Sequence, residues 1–195
     1  METQSFEVAV VGGGMVGLSL ALGLAGAGVQ VALIERTALS DMATADFDGR
    51  ASAVAAGSRR ILDGLGLWDS IANEAEPILG IRVADGVSPF FLHYDYKEID
   101  DGPLGWIVEN AVTRRALAAA ASNSSLQVYD DTELTQCNFK QDVAALDLAN
   151  GQRITTRLVV AADGRGSPLR EAAGIDVVRW RYPQTGIVCA VHHEI

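Results

Sequence analysis

Between Val8 and Ile34 the chain carries no charged residue. An uncharged run of more than about 18 residues is a candidate membrane span. Seven glycines interrupt this one (Gly12, Gly13, Gly14, Gly17, Gly23, Gly26 and Gly28), and no basic cluster flanks its start. Its apolar pattern also divides into three. Phe6 to Val11 is a short run, apolar but for Glu7, as in a strand buried on both faces. Met15 to about Gly26 is rich in Leu and Ala, as in a helix packed on a sheet. Val29 to Ile34 is a second strand rich in β-branched residues. The pattern predicts a βαβ unit in place of a span.

Beyond it, TALSDMATADFDGR is polar and irregular and ends at Arg50. SAVAAGSRRILDGLGLWDSIANEA reads as a helix, a break at Gly66 and a shorter helix, with Ile61, Leu62 and Leu65 as the apolar face. Ile78–Ala84 and Pro89–Tyr94 read as strands, followed by an acidic loop, KEIDDG, and a strand over Gly105–Val108. Alternation at Ile81 and Val83 predicts half-buried antiparallel strands. Ala111–Ala121 is a helix closed by SNSS. Leu126–Tyr129, Glu133–Lys140, Val143–Leu148 and Arg153–Ala162 are extended, with Asn150-Gly151 as a hairpin turn and Leu158–Ala162 as a buried returning strand. A nucleotide-binding βαβ, an antiparallel insertion and a return to a buried strand predict an α/β, Rossmann-like fold of three layers with a second domain inserted into the first.

The chain has 195 residues, 49% of them hydrophobic, enough for a sizeable core. Its formal net charge of −10 repels phosphate backbones and argues against nucleic acid as a partner. Cys137 and Cys189 lie far apart without CxxC spacing, so neither a disulfide framework nor a zinc site is predicted, and a reducing compartment fits. Asn123-Ser124-Ser125 is formally a glycosylation sequon, with nothing to mark the chain as secreted. METQSFE carries no Lys or Arg and so lacks the basic start of a signal peptide. His192 and His193 make no metal spacing with other ligands and read as strand residues.

Within the βαβ unit, Gly12-x-Gly14-x-x-Gly17 falls at the strand-to-helix turn. Glu35 ends the second strand, 21 residues after Gly14. Gly12 permits the tight turn, Gly14 lets backbone approach a pyrophosphate, and Gly17 lets the helix pack closely on the strands. The pyrophosphate then meets free N–H groups and the positive end of the helix dipole. Glu35 can accept both hydroxyls of an adenosine ribose, and its charge repels a 2′-phosphate. These residues predict a site for an ADP moiety, a half that NAD and FAD share.

The returning strand runs into AADGRGSPLREAAGI, with Asp163-Gly164 at its C-terminal end. Ser167 is an N-cap candidate and Pro168 fits the first helical position, with a short helix through Ala173. An ordinary Asp-Gly turn before a capped helix uses the same residue types. VVAADGRGSPLR resembles the DG motif of the class A flavoprotein monooxygenases, whose fold type is para-hydroxybenzoate hydroxylase. DGRASAVAAGSRRILDGLGLWDSI, LGWIVENAVTRRAL and WRYPQTGIVCAV are similar to the ubiquinone-biosynthesis (Ubi/Coq-type) hydroxylases, and these motifs spread over nearly the whole chain.

The resemblance implies FAD as cofactor and NAD(P)H as co-substrate. Reduced flavin and O2 would hydroxylate an electron-rich phenolic ring, here a polyprenylated ubiquinone precursor. The flavin carries the hard chemistry and the protein binds, orients and excludes water, so no catalytic acid or base is assigned. By position, Gly12, Gly14 and Gly17 match the pyrophosphate loop and Glu35 the ribose acid. Arg50 matches an arginine near FAD; on the residues alone it is a solvated loop arginine. Asp163 and Gly164 match the DG pair, serving both FAD and the nicotinamide cofactor. Glu109 or Asn110 falls where relatives place a polar FAD contact. Arg36 and Arg170 either neutralise phosphate or are surface charges. Trp106, Trp180 and Tyr182 either line an aromatic substrate pocket or belong to the core.

The resemblance also implies an organisation. Residues 1–75 would hold the FAD-binding βαβ and its following helices, and 76–108 the start of a substrate-domain β insertion. Residues 109–175 would return to the FAD-binding domain with the DG motif, and 176–195 would begin a second, truncated substrate segment. The family's third motif, a GD-type sequence, does not occur here. The chain therefore reads as an N-terminal portion, inactive alone, with an incomplete substrate domain. Two other readings are a nucleotide-binding module without chemistry, acting in assembly with other ubiquinone-biosynthesis proteins, and another FAD oxidoreductase of the same fold. A polyprenyl substrate lives in the bilayer, so the expected place is the cytoplasm, peripheral at most on the inner membrane; no basic amphipathic helix appears.

Overall fold

The computed structural model describes residues 3–44, 46–86, 88–99, 102–187 and 191. Cys189, His192 and His193, and the strand expected at the chain's end, lie outside the described residues. In chain order the elements are β1 (Gln4–Val11), α1 (Met15–Gly26), β2 (Val31–Ile34), α2 (Leu39–Ala43), β3 (Ala51–Ala55), α3 (Ala56–Gly64), α4 (Trp68–Ile71), β4 (Ala75–Ile78), β5 (Gly80–Ala84), β6 (Phe91–Asp95), β7 (Gly105–Glu109), α5 (Asn110–Ser122), β8 (Gln127–Tyr129), β9 (Leu134–Phe139), β10 (Ala144–Leu148), β11 (Arg153–Ala161) and α6 (Pro168–Ala172). They divide into two compact units: Met1–Ala45 with Arg114–Ile187, and Asp46–Thr113 with Val188–Ile195.

The first unit is built on a six-stranded sheet in the order β8-β2-β1-β11-β10-β9. β8, β2, β1 and β11 run parallel, and β10 pairs antiparallel with both β11 and β9. β11 is long enough to serve both parts: Ile154–Ala161 run along β1, while only Arg153–Thr156 pair with β10. All four residues of β2 are buried, which explains why its sequence is continuously apolar. Ala9, Val11, Ala32, Ile34, Leu146 and Ile154 anchor the core, with Tyr129 edge-on to Phe6 and hydrogen-bonded through its hydroxyl to Gln4.

The uncharged stretch of the sequence thus folds as β1, α1 and β2. Among the described residues, no helix is long and apolar enough to cross a membrane. α1 presents Gly17, Leu18 and Ala21 to the interior and stops where Gly28 turns left-handed at φ +85°. There the Val29 N–H donates to the Leu24 carbonyl (3.1 Å) and the Gly28 N–H to that of Ala25 (3.0 Å), closing the helix and freeing the chain for β2.

The second unit contains a three-stranded antiparallel sheet, β3-β7-β4, and a separate ribbon, β5-β6. Leu62, Leu67, Trp68 and Ile71 are buried, and Trp68 meets Trp106 edge-on at 5.2 Å with the Arg59 guanidinium over both rings. Gly66 breaks the helical pair as the pattern predicts, at φ +70°.

Five expectations need correction. The start of the segment read as helix, Ser52–Ala55, is strand β3. Its alanines favour helix, and register pairing with β7, Ser52 opposite Val108 and Ala55 opposite Gly105, overrides that preference. Ile78–Ala84 is two strands in different sheets, parted at Leu79. Ile61 is 61% exposed, so the apolar face of α3 turns on Leu62. Leu158 is 55% exposed, so the last part of β11 is not covered on both faces, and Ile81 and Val83 on the ribbon are likewise exposed.

Candidate functional site

The site forms where the parallel strands end. Gly12 N–H donates to the Ile34 carbonyl (2.8 Å) and Ala162 N–H to that of Val11 (2.8 Å), so the ends of β1, β2 and β11 are tied together. Gly12 takes φ +105°, and a Cβ there would lie 2.3 Å from the Ala162 carbonyl oxygen. A Cβ on Gly17 would lie 1.8 Å from the Gly12 carbonyl oxygen. Both positions accept only glycine, because the opposing atoms are backbone. Around Gly14 nothing lies within 4 Å of a built Cβ. Gly14 is also the N-cap of α1, which has no side-chain cap and no acidic residue in its first turn. The positive end of this helix is therefore exposed beside open space.

Glu35 follows β2. Its Oε2 accepts the Gly13 N–H at 2.5 Å and its Oε1 the Thr37 N–H at 2.8 Å. Asp163 follows β11. Its Oδ2 accepts the Leu169 N–H at 3.2 Å, while Oδ1 is buried without a hydrogen-bond partner among the described residues. A buried carboxylate oxygen with spare acceptor capacity fits a donor that the chain does not itself supply. Gly164 turns left-handed at φ +87°, and Ser167 Oγ accepts the Arg170 N–H at 3.0 Å, so the cap at Ser167 and Pro168 forms as the sequence predicts.

Gly12, Gly14, Glu35, Arg36, Asp163 and Gly164 line one cavity of about 560 Å³. Six of the eight sequence-predicted positions meet there; Gly17 lies beneath the turn as its packing residue. Arg50 belongs to the second unit, just ahead of β3. There its Nη2 pairs with Asp48 Oδ2 at 2.7 Å, and this neighbour raises the guanidinium further above its ordinary range. Asn110 is in the same unit and ties β3 to α5, accepting the Ser52 hydroxyl (2.6 Å) and donating its N–H to the Arg50 carbonyl (3.0 Å). Arg170 donates from Nη1 to the Arg165 carbonyl at 3.2 Å, and its Nε and Nη2 are buried without a hydrogen-bond partner among the described residues. Trp180 and Tyr182 pair with each other and are 68% and 71% exposed, not core residues.

Sequence reasoning missed the opposite wall of the cavity, which β9 supplies with Thr135, Gln136 and Cys137. No local motif marks it, because it reaches the site through long-range strand order. Burial pushes the Cys137 thiol above its ordinary range. Gly13 was also missed. Its signal was present as a third consecutive glycine that the G-x-G-x-x-G pattern does not require.

The FAD binding domain family matches residues 5–186. The chain is 42% identical over 189 residues to ubiquinone hydroxylase UbiL of Rhodospirillum rubrum, covering 96% of this chain and 44% of that protein. It is 35% identical over 197 residues to 3-demethoxyubiquinol 3-hydroxylase of Escherichia coli (strain K12), covering 100% of this chain and 50% of that protein. The chain thus spans about half the length of the curated relatives it matches. Among solved structures, p-nitrophenol 4-monooxygenase PnpA from Pseudomonas putida DLL-E4 superposes with a TM-score of 0.73 at 23% identity, covering 88% of this chain and 44% of that one. P. aeruginosa PqsL in complex with 2-aminobenzoylacetate gives a TM-score of 0.76 at 22% identity, covering 92% and 49%. These two likenesses establish the fold. With the Gly12–Gly17 turn and the Asp163-Gly164 turn meeting at the ends of parallel strands and the family model spanning residues 5–186, this chain belongs to the FAD binding domain family.

Proposed function

We propose that this chain is the FAD-binding portion of an aromatic-ring hydroxylase of ubiquinone biosynthesis. It would use NAD(P)H and O2 to hydroxylate a polyprenylated phenol. The observation that carries the reading is the convergence of the Gly12–Gly17 turn, Glu35 and Asp163-Gly164 on one cavity. The names of the relatives, ubiquinone hydroxylases, supply the reaction class.

The residues present fit the ADP half of FAD. Gly14 leaves room for the pyrophosphate at the uncapped start of α1, and Arg36 adds charge toward it. Glu35 receives the ribose hydroxyls. Asp163 Oδ1, buried and without a hydrogen-bond partner among the described residues, would receive a hydrogen bond from the cofactor, with Gly164 leaving the approach open. Bound there, FAD would supply the redox chemistry, accepting hydride from NAD(P)H and activating O2 for insertion of one oxygen atom into the ring while the other leaves as water. The chain's own residues bind, orient and exclude water. The working place is the cytoplasm, with peripheral contact at the inner membrane where a polyprenyl tail is held.

The experiment grafts this chain in place of the matching portion of the R. rubrum relative. The flavin spectrum is used to confirm FAD loading, and NAD(P)H and a polyprenylated phenol are then supplied in air. Mass spectrometry should show the substrate gaining one oxygen. A loaded graft that oxidises NAD(P)H without oxygenating any such phenol contradicts the reading. The isolated chain should not hydroxylate.

A further inference from the structure

We infer that Glu35 is a positioning residue for the phosphate-binding turn, acting through the Gly13 N–H, in addition to facing a ribose. The inference rests on the nucleotide reading above and adds to it a coupling between two subsites.

Four observations carry it. Glu35 Oε2 accepts the Gly13 N–H at 2.5 Å, across 22 residues of sequence, and so binds the middle of the turn directly. A Cβ on Gly13 would stand 2.8 Å from Glu35 Cγ and 2.9 Å from its Cβ, so glycine at 13 is what admits this contact. Glu35 is itself anchored: its N–H donates to the Tyr129 carbonyl (2.9 Å), its carbonyl accepts the Thr132 N–H (3.2 Å), and Oε1 accepts the Thr37 N–H (2.8 Å). The adjoining residues are joined as well, Gly12 N–H to the Ile34 carbonyl at 2.8 Å. The brace therefore runs from the sheet, through a fixed carboxylate, to a turn whose glycines have little stiffness of their own.

The two tasks do not compete. An ionised carboxylate offers about four acceptor sites. Gly13 and Thr37 use two, leaving two for a pair of ribose hydroxyls. Glu35 would then set the turn before any ligand arrives, and the ribose would find the same group already oriented.

The test separates the brace from the ribose contact by removing the hydroxyls from the ligand. ADP and 2′,3′-dideoxy-ADP are titrated calorimetrically into the wild-type chain, Glu35→Ala and Glu35→Asp, with folding checked by circular dichroism. The wild type should bind both. Each variant should bind dideoxy-ADP about tenfold or more weaker, the loss of one charge-assisted hydrogen bond. Removing a negative charge near a diphosphate acts in the opposite direction, so weaker binding by Glu35→Ala cannot arise from charge, and Glu35→Asp keeps the charge while shortening the reach. In the ligand-free variants the Gly13 and Thr37 amide proton resonances should move upfield. Variants that bind dideoxy-ADP as the wild type does, with loss confined to ADP, overturn the inference and leave the nucleotide reading standing. A wild-type chain that binds neither ADP nor FAD overturns both.

Discussion

Replacing Gly17 with Ala tests the architecture of the turn most sharply. The added Cβ would lie 1.8 Å from the Gly12 carbonyl oxygen, 3.0 Å from its carbon and 3.1 Å from the Ala162 Cβ. The opposing atom is backbone and cannot rotate away, because Gly12 is tied to Ile34 and packed against Ala162. Relief requires α1 to move off β1 by more than an ångström, which opens the interior at Leu18 and Ala21, both fully buried. Overpacking of this kind costs about 3 kcal/mol, the upper end of its usual range. For a chain of this size that lowers Tm by about 6–12 °C. Gly14→Ala is the matched control. It meets nothing within 4 Å, and its φ of −65° suits any residue. The gain in chain entropy, about 0.4–1 kcal/mol, offsets a poorer N-cap of similar size. Its Cβ enters the space assigned to the pyrophosphate, so FAD binding should weaken while Tm holds. Thermal melts and FAD titrations of both variants give the answer. A Gly17→Ala chain that melts with the wild type and binds FAD equally refutes the close-packing argument.

Further outcomes follow from other parts of the chain. Cys137, held protonated by burial and lining the cavity, should react with iodoacetamide more slowly than a free thiol at neutral pH. FAD should slow it further, as followed by peptide mass spectrometry; a rate indifferent to FAD removes β9 from the site. Arg153 holds the Asp147 carboxyl below the ordinary carboxylate range by a hydrogen bond. Its stabilisation is therefore present above that range and lost as pH falls through the lowered value. Arg153→Gln should lower Tm slightly at neutral pH and not at all in strong acid, with the gap closing monotonically in a melt series. Ser167→Ala removes the buried cap of α6 and should cost about 1 kcal/mol, a Tm fall of about 2–4 °C.

What was legible in the sequence had a local cause. The βαβ unit announces itself because Val8–Val11 of β1 and all of β2 are buried and so carry unbroken apolar runs, and because Gly12 and Gly17 stand where only backbone can pass. The turn at Asp163-Gly164 and the capped helix after it were legible locally, whereas singling Asp163 out rested on the resemblance of VVAADGRGSPLR to the DG motif. What escaped depends on distant partners. β3 is composed of Ala, Ser and Val, and only its register against β7 makes it a strand. The break at Leu79 exists because β4 and β5 join different sheets, which no periodicity within seven residues reveals. The β9 wall of the cavity and the Glu35–Gly13 bond span more than twenty residues and needed the assembled sheet.

The central claim, that the joined turns receive the ADP half of FAD, is tested most directly by titrating the purified chain with FAD. Flavin fluorescence and the visible spectrum report binding, with ADP as competitor and NAD as comparison. The account predicts that FAD binds more tightly than NAD and that ADP displaces it. A folded chain that takes NAD and leaves FAD free in solution would contradict it.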